Sequence, residues 1–174
     1  MKTRAAALTP LLYVTLPPLP PVLRRAYRDT AYRVTLRGGK ARRDDALVLR
    51  VGQPAPELAL AFPRLRCWAL LTAWNPESTR RGKNDNCRAQ SRLRAALRQG
   101  GRRFFPGENR ADPMPRHRPW PPEASLFVPN LPLAAAVTLA RHFRQKAALA
   151  CSNARLRRGQ RFRGQGDCVI HSRC

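Results

Sequence analysis

Carboxylates are scarce in this chain: 10 Asp and Glu stand against 34 Lys and Arg, for a formal net charge of +24. That imbalance points toward polyanions, because each phosphate neutralised releases counterions and arginine grips phosphate through two N–H groups. Lysine is scarcer still. With 30 of the 34 basic residues being arginine, and Ala and Pro abundant, GC-rich coding accounts for the same charge without any selected contact. No aromatic-basic module of the RNA-recognition type accompanies it. Cysteine numbers 5 (Cys67, Cys87, Cys151, Cys168, Cys174) with no C-x-x-C pair, so a disulfide framework is not expected and a reducing, cytoplasmic compartment is. Cys168, His171 and Cys174 lack a fourth ligand nearby, so neither a zinc site nor any other metal or cofactor is expected. No run approaches the about eighteen apolar residues of a membrane span. The segment 1–21 has Pro10 inside its apolar run and ends in a proline cluster instead of a small-residue cleavage site, so export is not expected.

What is present is enough for one domain. At 174 residues and 43% hydrophobic the chain can bury a core, while its 17 prolines gather at 10–21, 54–63 and 113–132, which are read as loops or turns. The resulting division is a stiff, proline-rich leader over 1–21 read as disordered, a single domain over 22–156, and a basic tail over 157–174, also read as disordered. Cys67 to Trp74 carries no charge and runs into Asn75-Pro76, which predicts a central strand covered on both faces with a polar stop.

Around that strand the elements fall in order. A helical turn over 22–30 precedes a hairpin of strands 32–36 and 46–51, and a proline-punctuated connection over 53–63 delivers the chain to the central strand at 65–74. A helix capped by Asn84 or Asp85 runs to Gln99 and stops at Gly100-Gly101, with Cys87, Leu93, Ala96 and Leu97 toward the sheet. A short strand at 103–107, a loop over 109–122, a strand at 125–128, a largely buried helix at 133–145 and a strand at 147–151 complete it. From Leu65 onward this is strand, helix, strand, strand, helix, strand. The expected class is therefore α+β, a ferredoxin-like split βαβ core preceded by a β-hairpin, with both helices on one face. Insertion of the hairpin into the sheet is the alternative arrangement.

Several motifs then converge on one resemblance. Leu70-Leu71-Thr72-Ala73-Trp74-Asn75-Pro76, Asn86 opening a helix with Leu93, Trp120 and Glu123 before Ser125-Leu126, and Phe143-Arg144-Gln145-Lys146-Ala147 resemble the bacterial group catalogued as domain of unknown function 3293. The likeness spans about Arg25 to Leu156, with Ala26-Tyr27 and Tyr32 near its start. Members carry glycine and asparagine where this chain has Arg144 and Lys146, and a second acidic residue where it has only Glu123 after Trp120-Pro121-Pro122. The family comes without an assigned reaction, so the resemblance implies relatives and no chemistry.

The topology itself implies a site. If the strand ending at Asn75 lies between the strands beginning after Glu123 and after Gln145, then Asn75, Asn86, Trp120, Glu123 and Gln145 converge at one sheet edge. One reading makes them a polar pocket of a small binding or interaction domain. The other has the amides satisfying backbone, Trp120 in the core and Glu123 neutralising arginines. Two alternative functions stay open: a nucleic-acid-associated protein using Arg88, Arg92, Arg102, Arg103, Arg157 and Arg158, and a small hydrolase or transferase with Glu123 as base. His142 is read as packed or at a rim, and His117 as an unremarkable loop residue. The sequence offers no matched nucleophile, metal cluster or phosphate loop.

Overall fold

The computed structural model describes residues 12–15, 19–36, 46–53, 55–112 and 120–152. Along the chain run β1 (Leu12–Thr15), α1 (Pro21–Arg28), β2 (Thr30–Thr35), β3 (Ala46–Leu49), α2 (Pro56–Ala61), β4 (Cys67–Leu71), α3 (Lys83–Gln99), β5 (Phe105–Ala111), β6 (Glu123–Pro129), α4 (Leu133–His142) and β7 (Ala147–Ser152). The seven strands form one antiparallel sheet in the order β1-β7-β4-β6-β5-β2-β3. The class is thus mixed α and β, while the order of the full sheet differs from that of a free-standing four-stranded ferredoxin-like sheet. Both edges are extended. The early hairpin β2-β3 joins the β5 edge, and β1 joins the β7 edge.

β4 is central, and alternation assigns its two faces. Ala69 and Leu71 face Leu93 and Leu97 of α3 and Ala136 and Ala140 of α4. Small side chains dominate there, including Ala148 and Ala150 on β7, which lets helix and sheet backbones approach closely. Trp68 and Leu70 face the other way, into a cluster with Phe127, Tyr32, Val34, Leu49 and Leu58. Phe62, Phe105 and Trp68 all pack on Phe127, with ring centroids 5.3 to 6.4 Å apart among the group. Both faces of the central strand are therefore covered, by helices on one side and by aromatics with α2 on the other.

Several elements depart from the expectations. Within the stretch read as a disordered leader, Leu12–Thr15 forms β1 on β7; its Leu-Tyr-Val-Thr sequence has high strand propensity, but pairing with a distant edge leaves no local trace. Within the connection 53–63 stands α2, where Pro56 occupies the first helical position without losing a needed N–H, Glu57 lies in the first turn and Leu58 is buried. The strand expected at 103–107 extends to Ala111, because β2 and β6 flank it on both sides. Pro106 is tolerated in it because pairing with β2 begins only at Gly107.

Helix α3 starts after Gly82, earlier than the Asn84 or Asp85 cap expected. Its buried stripe is Asn86, Gln90, Leu93 and Leu97, whereas Cys87 is exposed. Two amides sit in that stripe because they bond the chain leaving β4, as described below. Helix α4 is shorter and less buried than expected: only Ala136 and Ala140 are fully enclosed. Among the described residues no helix is long and apolar enough to cross a membrane.

The two long helices end the same way. Arg102 N–H reaches Leu97 O at 2.8 Å after α3, and Gln145 N–H reaches Ala140 O at 2.8 Å after α4. Each is a Schellman closure with a left-handed residue between, Gly101 at φ 64° and Arg144 at φ 54°. The glycine-dependent ending therefore persists at Arg144 without its glycine.

Candidate functional site

The chain leaving β4 finds side-chain partners for three consecutive N–H groups and one carbonyl. Ala73 N–H donates to Gln90 Oε1 at 2.9 Å, Trp74 N–H to Thr72 Oγ1 at 3.0 Å and Asn75 N–H to Asn86 Oδ1 at 2.9 Å. Gln145 Nε2 donates to Trp74 O at 3.0 Å. Asn75 returns the favour: its Oδ1 accepts Asn86 Nδ2 at 3.0 Å and Arg81 N–H at 2.9 Å. Asn75 and Asn86 are 4% and 3% exposed, so these bonds are made away from water and their loss would leave orphaned groups. The turn itself is bent hard: Asn75, Glu77 and Ser78 have φ of 46°, 57° and 57°. Non-glycine residues rarely hold such angles, and each persists only when its surroundings fix it. Here Glu77 N–H donates to Arg144 O at 2.8 Å while the Arg144 guanidinium grips Glu77 Oε1 through Nε and Nη2 at 2.9 and 2.6 Å.

Beyond this scaffold lies a carboxylate. Asn75 Nδ2 donates to Glu123 Oε1 at 2.6 Å, and Trp120 Nε1 donates to the same oxygen at 2.7 Å. Among the described residues no hydrogen bond reaches Oε2. Burial pushes the Glu123 carboxyl above its ordinary value, against the two bonds that favour its ionised form. Arg80 covers the Trp120 ring, with its guanidinium carbon 5.0 Å from the ring centre.

Tyr27 completes the group. Burial raises its phenol, a hydrogen bond with Ser78 opposes that, and the nearby Glu123 charge raises it further. Tyr32 hydroxyl donates to Tyr27 O at 3.0 Å and so fixes the end of α1 over this edge. Neither Tyr27 nor Ser78 was singled out as a site residue from sequence. The available signal was Ala26-Tyr27 within the family pattern, and nothing local linked it to Glu123 across almost a hundred positions.

The five residues expected to converge are thus placed as follows. Asn75, Trp120 and Glu123 bond directly, Asn86 joins through Asn75, and Gln145 holds Trp74 O one residue away. Asn75 and Asn86 are spent on each other, on backbone and on Glu123, and Gln145 Nε2 is spent on the carbonyls of Trp74 and Phe143. Beyond those bonds stands Glu123 Oε2, which accepts no hydrogen bond from the described residues. It can accept a hydrogen bond, and the carboxylate can take a proton.

Other residues considered from sequence lie elsewhere. Arg88 pairs with Asp85 at 2.7 Å on the outer side of α3, and Arg103 covers Phe105 at 4.8 Å. Arg92 and Arg102 are exposed. Arg157, Arg158, His117, His171, Cys168 and Cys174 fall outside the described residues. His142 is exposed at the end of α4, edge-on to Phe143 at 4.9 Å. Burial raises the thiols of Cys67 and Cys151, which disfavours their thiolate forms. Among the described residues no group of three or more His, Cys, Asp or Glu is placed to hold a metal ion.

No curated protein matches the chain, and no solved structure does. Residues 71–148, which run from the end of β4 through the start of β7 and include Asn75, Asn86, Trp120, Glu123 and Gln145, match the family described as "Protein of unknown function (DUF3293)", in support of the resemblance drawn from the sequence.

Proposed function

We propose that this protein is a small binding domain whose site is the polar edge around Glu123, and that its ligand is a small polar molecule anchored by that carboxylate. The observation that carries the reading is the one-sided use of Glu123: Oε1 takes bonds from Asn75 and Trp120, and Oε2 takes none among the described residues. A partly buried carboxylate held by one oxygen is oriented and retains an acceptor for something else. The inner strands β7-β4-β6-β5 with α3 and α4 are read as a ferredoxin-like core, extended by β1 and by the β2-β3 hairpin. The domain then takes in 12–152, and the protein is read as bacterial and cytoplasmic.

The test is a thermal-shift screen of small polar molecules against the parent protein and Glu123→Gln. The substitution keeps an oxygen for Asn75 and Trp120 but replaces the second oxygen with an N–H donor. At least one molecule should raise the unfolding temperature of the parent and not of the variant. A screen in which every shift is shared by both proteins overturns the reading.

A second reading rests on α3. Between Thr79 and Phe104 stand nine Lys or Arg and one acid, Asp85, which Arg88 already engages. The buried stripe of α3 faces the sheet, so exposed Arg88, Arg92 and Arg98 give its outer side an excess of positive charge suited to a nucleic-acid backbone. Binding of a DNA duplex that weakens steeply with salt, and weakens further in Arg88→Ala/Arg92→Ala, supports it; no binding at low ionic strength removes it.

A further inference from the structure

Two strands beside Glu123 carry buried polar atoms with nothing to bond. Phe105 and Phe127 are cross-strand partners, and both belong to the aromatic side of the sheet. By alternation, the partners Gly107–Ser125 and Asn109–Glu123 share that face. Ser125 is 1% exposed, and its Oγ has no hydrogen-bond partner; Asn109 Oδ1 is likewise buried and unpartnered. Gly107 holds Ser125 close: a Cβ at Gly107 would stand 2.8 Å from Ser125 Oγ and 2.7 Å from Arg33 O. An unpaired buried polar atom forfeits its hydration without replacement, so two beside a carboxylate with an unused oxygen form a costly arrangement if nothing answers them.

Direct partners on one face of an antiparallel pair have Cβ atoms about 4.5–5.5 Å apart. Glu123 and Asn109 therefore leave the sheet side by side on one face, Asn109 with an unpartnered Oδ1 and Glu123 with bonds from Asn75 and Trp120 on Oε1 alone, and the Ser125 hydroxyl stands in the next row able to donate or accept. We infer that Glu123, Asn109 and Ser125 recognise an amidine edge, two N–H donors on nitrogens sharing one carbon, as in a guanidinium group or the 2-amino edge of guanine. Two adjacent acceptors select two parallel donors, and a carboxylate among them strengthens both bonds. The inference rests on Glu123 being the anchor of the binding site proposed above and adds the class of ligand.

Calorimetric titration of the full chain tests it with guanosine and Nα-acetyl-arginine methylamide, each against a control lacking the edge, inosine and Nα-acetyl-lysine methylamide. At least one amidine probe should bind about 10-fold or more tighter than its control, the loss expected when a buried acceptor goes unanswered. A preference confined to guanosine identifies a heterocycle as the source; one confined to the arginine derivative identifies a side chain. Glu123→Gln, which turns the acceptor into a donor, should abolish the preference, and Asn109→Ala should weaken it about 10-fold. Arg66→Ala, exposed at the opposite end of β4, should leave it unchanged. Circular dichroism of each variant separates lost binding from lost fold, and Ser125→Ala supplies a further substitution should Asn109→Ala unfold. Amidine probes that bind no tighter than their controls, or equally well in folded Glu123→Gln, overturn the inference. If a different polar molecule then binds in a Glu123-dependent manner, the site stands and only the ligand class falls. If Glu123→Gln changes the binding of nothing, both fall.

Discussion

Two asparagines stand at opposite ends of β4 in nearly the same backbone conformation, Asn75 at φ 46° and Asn130 at φ 54°. At the start of the strand, Asn130 N–H donates to Cys67 O at 2.7 Å and its Oδ1 accepts Arg66 N–H at 2.9 Å. It is exposed, and its work is to close a turn. At the other end Asn75 is buried, bonds Asn86 and Arg81, and carries its Nδ2 to a carboxylate. The residue type and the backbone are shared; the surroundings are not. Asparagine enters left-handed conformations readily in either place. At the buried end the asparagine amide goes on, after the backbone is satisfied, to orient a carboxylate that Trp120 also holds.

The comparison is broken most forcefully at Asn75. Asn75→Gly keeps the positive φ but takes from Glu123 Oε1 one of its two donors and from Asn86 Nδ2 and Arg81 N–H their shared acceptor, and should cost about 2–4 kcal/mol by urea denaturation. A loss below about 1 kcal/mol would make the two asparagines equivalent and reduce Asn75 to a turn residue.

Next comes pH. The folded-state carboxyl of Glu123 is raised above its ordinary value of 4.5, so folding favours its protonated form. Its contribution is full below about 4.5 and is lost as pH rises through the higher folded value. Glu123→Gln removes that dependence. Stability of the variant relative to the parent should therefore climb as pH increases from 4.5 upward, measured by denaturation at several pH values. A pH-independent difference would mean that burial does not disfavour the ionised form.

Asn130→Gly should cost about 0.5–1 kcal/mol, the worth of one exposed turn bond, and the same denaturation series measures it. The smallest change is expected at Arg144→Gly. It relieves about 1 kcal/mol of left-handed strain and gives up a pair with Glu77 whose side chains are 65% and 52% exposed and which is worth little. The net should stay within about 1 kcal/mol, whereas Gly101→Ala, at the matching place after α3, meets the strain with no compensating pair and should cost about 1 kcal/mol. If Arg144→Gly destabilised by much more, the Arg144–Glu77 clamp would be what holds the bent turn.

Much of this was legible in the chain itself. The uncharged run from Cys67 to Trp74 specifies a strand buried on both faces, because eight consecutive residues without a charge can be enclosed without stranding one. Gly100-Gly101 marks the end of α3, and Asn75-Pro76 marks the polar stop of β4. These are local signals, set by periodicity and by backbone conformations that few residues accept.

Tertiary structure decided the rest. Asn86 and Gln90 break the apolar stripe of α3 and look misplaced until Asn75 N–H and Ala73 N–H are brought against them. β1 finds β7, and Tyr27 finds Glu123, through contacts between segments far apart in sequence. A hydrogen-bond partner supplied by another element leaves no mark on the periodicity of its own. The sequence therefore determined where the central strand lies and where it stops, while folding determined that its stop borders a carboxylate with one oxygen unspent.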